Sequence, residues 1–301
     1  MKRHRFVVAI ALLLLAGCGP RTGDLGGVAT PPSSTAPSLD LPSAEPTPDG
    51  SPGGSAAASP GGEATTIRAY FFLGSFTGDS GLVPVLREVP HTQAVGAAAM
   101  AALLEGPNER ELSASPAMYT DVPDGSRFLG LTIDNGVATV DLSQEFQAGG
   151  DTASINRRIA QVVYTLTQFP TLQAVRFEFD GAPPPTVFAG SFDRTAFVGL
   201  LPAIWVDRPA WGGVLGNPAR VTGLANVFEA QFRIEILDAA GTSLTDQPAH
   251  ATCGSGCWGT FDVTLTYAVP TAQSGTLRVY DRSPRDGSRE HVVEYPVQLT
   301  P

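Results

Sequence analysis

This chain is poor in positive charge. Its 301 residues hold 19 Lys and Arg against 29 Asp and Glu, a net charge of −10. No basic stripe is available to neutralise phosphates, which argues against nucleic acid as a partner, and the acidic surface serves solubility instead. Histidine is scarce too, at four. His91, His250 and His291 are scattered, without the spacing of a metal set or a catalytic triad, and read as surface or strand-edge residues. Phosphate loops, Gly-rich turns ahead of a helix and calcium loops of alternating carboxylates are all missing, so no cofactor and no metal is expected. Gly78-Asp79-Ser80-Gly81 spells the surroundings of a serine nucleophile, but the only histidine upstream is His4, and a tight turn between two strands is the reading. Long apolar runs are absent as well: Phe6 to Leu15 is too short to cross about 30 Å of hydrocarbon.

What the N-terminus does have is a cationic start, Lys2, Arg3 and Arg5, then that apolar stretch, then Leu15-Ala16-Gly17-Cys18. The ending resembles a bacterial lipobox; the alternative is an ordinary secretory signal with a chance cysteine. The resemblance implies removal of residues 1–17 as a signal peptide, lipidation of the Cys18 thiol, and anchorage on the outer face of the cell membrane. Each buried methylene contributes about 0.8 kcal/mol, so two or three acyl chains hold durably. Residues 18–65 are almost entirely Pro, Gly, Ser, Thr and Ala, with too little apolar surface to offset ordering entropy, and are expected to form a disordered tether.

The remaining cysteines, Cys253 and Cys257, lie in what this address makes an oxidising compartment. A local disulfide is the favoured reading. A metal site competes, but two thiols without a neighbouring His or third Cys do not complete a zinc set.

Residues 66–195 alternate strands and helices. Asn135-Gly136 is the preferred pair for a two-residue type I′ turn, which places Ile133 opposite Ala138, Leu131 opposite Val140 and Leu129 opposite Leu142. The apolar face so formed needs a cover. Ile155, Ile159, Val162, Val163 and Leu166 recur at helical spacing, with Asp151 or Ser154 to cap the start and Pro170 to end it. A second helix runs from about Gln93 to Leu104, and strands are read at Ile67 to Leu73, Leu82 to Val89 and Leu172 to Phe179. The order β-β-α-β-β-α-β predicts an α+β sandwich, a mixed sheet with two helices.

After a linker at 196–202, residues 203–301 lose the helical period. Phe232, Ile234 and Ile236 alternate with Arg233 and Glu235, and Phe261, Val263, Leu265 and Tyr267 alternate with Asp262, Thr264 and Thr266. Further strands are read at Ile204 to Val206, Ala219 to Gly223, Ser243 to Ala251, Thr276 to Asp281 and Val292 to Leu299. About seven strands predict an immunoglobulin-like sandwich. Because each pattern closes its own apolar faces, the two domains are expected to fold separately.

Several runs in the first domain are shared with a known family: Tyr70-Phe71-Phe72, the helix ending in Glu105-Gly106-Pro107, Asp124-Gly125-Ser126, and Asn135 to Ser143 with Phe146 after it. It resembles the GerMN domain of sporulation and germination proteins. Pro209 to Gly223, Ala225 to Ala230, Asp286-Gly287-Ser288 and Val292-Val293-Glu294 are similar to the immunoglobulin-like domain of spore-germination proteins, the second Gmad type; the cysteine pair is an addition to that pattern. The resemblance carries no catalytic residue set. It implies a non-catalytic envelope lipoprotein that binds or scaffolds other surface proteins, or associates with itself. A second class is a carbohydrate or peptidoglycan binder using Trp211 and Trp258, whose bland alternative is core packing. A third is a wall hydrolase, with Glu178 and Asp180 at period two as its candidate acid and base.

Overall fold

The computed structural model describes residues 64–74 and 81–301. The signal, the lipobox with Cys18, the tether up to residue 63, and Gly78-Asp79-Ser80 lie outside the described residues.

Two ten-residue strands open the first domain. Strand β1 (Ala64–Leu73) pairs antiparallel with β2 (Gly81–Pro90), and the strand begins two residues inside the segment expected as tether. Helix α1 (Val95–Leu104) and the one-turn α2 (Glu109–Leu112) follow. Asn108 and Glu111 cap α2 reciprocally, each side chain accepting from the other's backbone N–H. The two-residue β3 (Met118–Tyr119) then returns to pair with β1, completing a small antiparallel sheet of order β2-β1-β3.

The strands β4 (Phe128–Asp134) and β5 (Val137–Leu142) form the hairpin, with Asn135 and Gly136 at φ 47° and 81° as a type I′ turn requires. Ile133 faces Ala138 and Leu131 faces Val140. Beyond that the register shifts: Phe128, not Leu129, sits opposite Leu142, because a bulge between Phe128 and Gly130 turns Leu129 out to solvent. Strand β6 (Ala174–Phe179) pairs parallel with β5. The mixed sheet is thus β4-β5-β6, while the first hairpin keeps its own sheet.

Helix α3 (Thr152–Leu166) is the cover for both. Asp151 caps it by accepting from the Ser154 N–H, and Ile159, Val162, Val163 and Leu166 are buried. A buried polar set that its periodicity does not reveal fastens the helix. Gln161 donates to the Tyr70 carbonyl at 2.9 Å and accepts from Asp121 N at 3.0 Å. Arg158, fully buried, donates to the carbonyls of Phe146, Asp121 and Gly149. Burial alone would make such a guanidinium costly; three carbonyl acceptors and the Phe146 ring 5.8 Å away compensate for lost water.

The second domain contains β7 (Ile204–Arg208), β8 (Val214–Leu215), β9 (Ala219–Ala225), β10 (Gln231–Leu237), β11 (Ser243–His250), β12 (Gly259–Leu265), β13 (Gln273–Arg282) and β14 (Arg289–Leu299). They form two sheets, of order β11-β10-β13-β14-β8 and β12-β9-β7. The inward side chains are those the alternation selects: Phe232, Ile234, Ile236, Phe261 and Leu265 are buried. The short β8, which no alternation could signal, joins β14 in parallel. Cys253 and Cys257 are joined by a disulfide with Cα atoms 6.0 Å apart.

Two expectations about the junction need correcting. The stretch expected as linker is a helical turn, Arg194–Leu200, capped by Asp193, and it buries Phe197 and Leu201. The described residues, 64–74 and 81–301, form one compact unit, and one hydrophobic cluster runs from Ile67 through Leu299. The patterns of the two domains close their own faces incompletely, and the remainder is closed across the junction.

Candidate functional site

The junction is built from side chains that period-two spacing places on one face of β1. Arg68 and Tyr70 both reach across to Asp207 on β7: Arg68 Nη1 lies 2.8 Å from Asp207 Oδ1, and the Tyr70 hydroxyl donates to the same oxygen at 3.3 Å. Arg194 completes the group. Its Nη2 donates to the Tyr70 hydroxyl and the Tyr164 carbonyl, its Nε to Thr167 Oγ1, and its guanidinium lies 4.7 Å from the Tyr164 ring centre. Tyr164 in turn meets Trp205 edge-on at 5.8 Å. Burial holds the Tyr70 phenol above its ordinary pKa in spite of Arg194. For Arg68, burial pulls downward, but Tyr70 and Asp207 outweigh it and the net direction is up. The Tyr70 phenol therefore stays neutral and the Arg68 guanidinium charged, which suits a structural bolt rather than proton transfer.

Backbone bonds join the domains a second time. Trp211 N–H donates to the Pro84 carbonyl at 2.9 Å, and Leu86 N–H donates to the Trp211 carbonyl at 3.4 Å. The Trp211 ring is thereby inserted into the junction at 6% exposure. Of the two readings this favours core packing: Trp211 is largely buried, because its loop pairs with β2 instead of projecting. Trp258 is half-buried against the core beside the disulfide.

Over this junction two adjoining grooves share Leu73 and Pro116. One, of about 330 Å³, has Arg110, Trp211 and Glu294 in its walls; the other, of about 300 Å³, has Pro202, His291 and Val292. Arg110 lies 5.6 Å above the Trp211 ring, and Glu294 accepts from Arg278. Among the described residues, no nucleophile with an adjacent base lines either groove.

The hydrolase candidates do not converge on them. Glu178 is half-buried on β6, opposite Asp141 in the parallel register, and Asp180 is exposed in a left-handed turn at φ 50°. His91 and His250 are exposed at strand ends. His291 alone among the described histidines gains acidic neighbours: its Nδ1 lies 2.8 Å from Asp281 Oδ1, and Glu290 stands beside them. Sequence spacing did not expose this cluster because Asp281 and His291 meet only across the β13–β14 hairpin. Among the exposed large apolar side chains, two lie on the edge strand β4, Leu129 and Ile133, at 46% and 57% exposure.

An α+β domain of two small sheets under one long helix, joined through a filled junction to an immunoglobulin-like sandwich, defines the class of protein. Its first domain matches the family model described as sporulation and spore germination, Germane, over residues 68–184. Its second matches the model of the immunoglobulin-like domain of bacterial spore germination, Gmad2, over 203–288. Both are sporulation and germination families, not known enzymes.

Among solved structures, the chain is similar to the tandem GerMN domains of the sporulation protein GerM from Bacillus subtilis. The two are 18% identical, with 47% of this chain and 48% of that one covered and a TM-score of 0.35. It is also similar to the first GerMN domain of the same protein, 16% identical, with 43% of this chain and 92% of that one covered and a TM-score of 0.33. The chain thus spans about half the length of the tandem-domain structure. No curated protein matches it.

Proposed function

We propose that this protein is a non-catalytic envelope lipoprotein of the sporulation and germination class that holds other cell-surface proteins against the membrane. One observation carries the reading. The two domains share a single core through Arg68, Tyr70, Arg194, Asp207 and Trp211, so they offer partners one body, with no assembled catalytic group among the described residues. The lipobox at Cys18 supplies the anchor, and the Pro/Gly/Ser stretch ahead of β1 supplies reach from the membrane. The unpaired outer edge of β4, with Leu129 and Ile133 exposed on it, is the surface suited to a protein partner, because a free strand edge recruits another strand.

A deletion strain complemented with variants tests this. Leu129→Lys with Ile133→Lys is expected to abolish function while the protein stays folded and membrane-bound. Glu178→Gln with Asp180→Asn is expected to retain it. The reverse pattern, function surviving the lysines and lost with the carboxylates, overturns the adaptor in favour of a hydrolase.

A further inference from the structure

We propose that Asp281, Glu290 and His291 form a binding site for a divalent transition-metal ion, with Zn²⁺ as the reference probe. Strand geometry supplies the first part of the argument. Asp281 and Glu290 are directly paired across β13 and β14, so their side chains leave the sheet on the same face. In a regular strand the next residue, His291, points to the opposite face. Here it does not: between the pairs Val279–Val293 and Asp281–Glu290, β14 carries one residue more than β13, and His291 adopts φ 49°. That bulge turns the imidazole back onto the carboxylate face, bringing one ligand atom from each of the three side chains within 4.8 Å of the others. A left-handed backbone is unfavourable for a residue with a Cβ, and such conformations concentrate where a side chain must be aimed.

Charge supplies the second part. Asp281 is 6% exposed, and its partner among the described residues is the imidazole alone. The nearby arginines are engaged elsewhere: Arg278 with Glu235 and Glu294, Arg289 with Glu235 and over the Tyr280 ring, Arg282 with the Gly287 carbonyl. A buried carboxylate beside a second carboxylate and one imidazole lacks a full counter-charge, and a dication supplies it. One nitrogen and two carboxylate oxygens suit Zn²⁺, Co²⁺ or Mn²⁺, with water at the open positions. Because His291 also lines the second groove, the ion would stand at its rim.

The test is calorimetric titration of ZnCl₂ and MnCl₂ into the purified full chain carrying Cys18→Ser, which removes a competing thiol. Wild-type residues at 281, 290 and 291 should bind one equivalent and raise the melting temperature. His291→Asn, which keeps a residue tolerant of left-handed φ, and Glu290→Gln should each weaken binding at least tenfold while melting normally in EDTA. His91→Gln with His250→Gln should bind as before. The absence of saturable binding, or binding unaltered by His291→Asn and Glu290→Gln, overturns the site and leaves a simple Asp281–His291 ion pair.

Discussion

Asp207 of the immunoglobulin-like domain lies 2.8 Å from Arg68 in the first strand of the GerMN-type domain, both largely removed from water. A part-buried pair of this kind holds two domains in register as well as together, since neither charge can leave the other without finding new solvation. The consequences of that arrangement can be measured.

Calorimetry on the full chain should give one cooperative transition covering both domains, not two. Residues 66–195 and 203–301 expressed apart should lack it, because each would expose a face bearing Tyr70, Trp205 or Trp211. Two transitions in the full chain would show that the junction is an ordinary contact between independent units.

Removing one partner of the pair strands the other. Asp207→Ala is expected to destabilise by about 1–3 kcal/mol, the cost of leaving a hydrogen-bonded charge without its partner. Arg68→Met with Asp207→Leu should cost less than the two single changes together, and a double-mutant cycle reads the difference.

Trp211 is a packing residue, so Trp211→Ala should cost about 3–5 kcal/mol through the cavity it leaves. Denaturant melts decide between this and the small change expected of an exposed anchor.

Asp193 caps the helical turn between the domains, accepting from the backbone of Thr195 and Ala196, and its hydrogen bond with the Thr195 side chain is the main reason its carboxyl is held below the ordinary value of 3.8. A depressed folded-state pKa contributes stability above the unfolded value, and that contribution is lost as pH falls through the folded one. The wild-type protein should therefore lose this contribution at and below about pH 4, whereas Asp193→Asn should keep its cap with that component of the pH dependence gone. Melting temperatures of the two between pH 3 and 7 give the comparison.

The Cys253–Cys257 bridge closes a very short loop, so Cys253→Ser with Cys257→Ser should lose only about 1–2 kcal/mol. A larger loss would mean that the bridge also positions Trp258.

Elements with a periodic signature were legible from sequence. The stripe Ile159, Val162, Val163, Leu166 specified a helix with one buried face, Asn135-Gly136 specified a turn of fixed length, and the alternation around Ile234 and Leu265 specified half-buried strands. Each of these is a local rule, in which a residue's neighbours in sequence are also its neighbours in space. The family resemblance rested on the same local runs.

Relationships between distant residues were decided only in three dimensions. Nothing near Trp211 in sequence announces that its amide will bond to Pro84, and without that bond an aromatic in a Gly-rich loop reads as exposed. The bulge at Leu129 shifts a register that the turn alone would have kept. His291 looks isolated because Asp281 is ten residues away, until a hairpin and a left-handed backbone bring them together. Local spacing records propensity and periodicity, which belong to the chain. Burial, charge pairing and the merging of two domains into one core depend on which surfaces meet, and only the folded chain settles that.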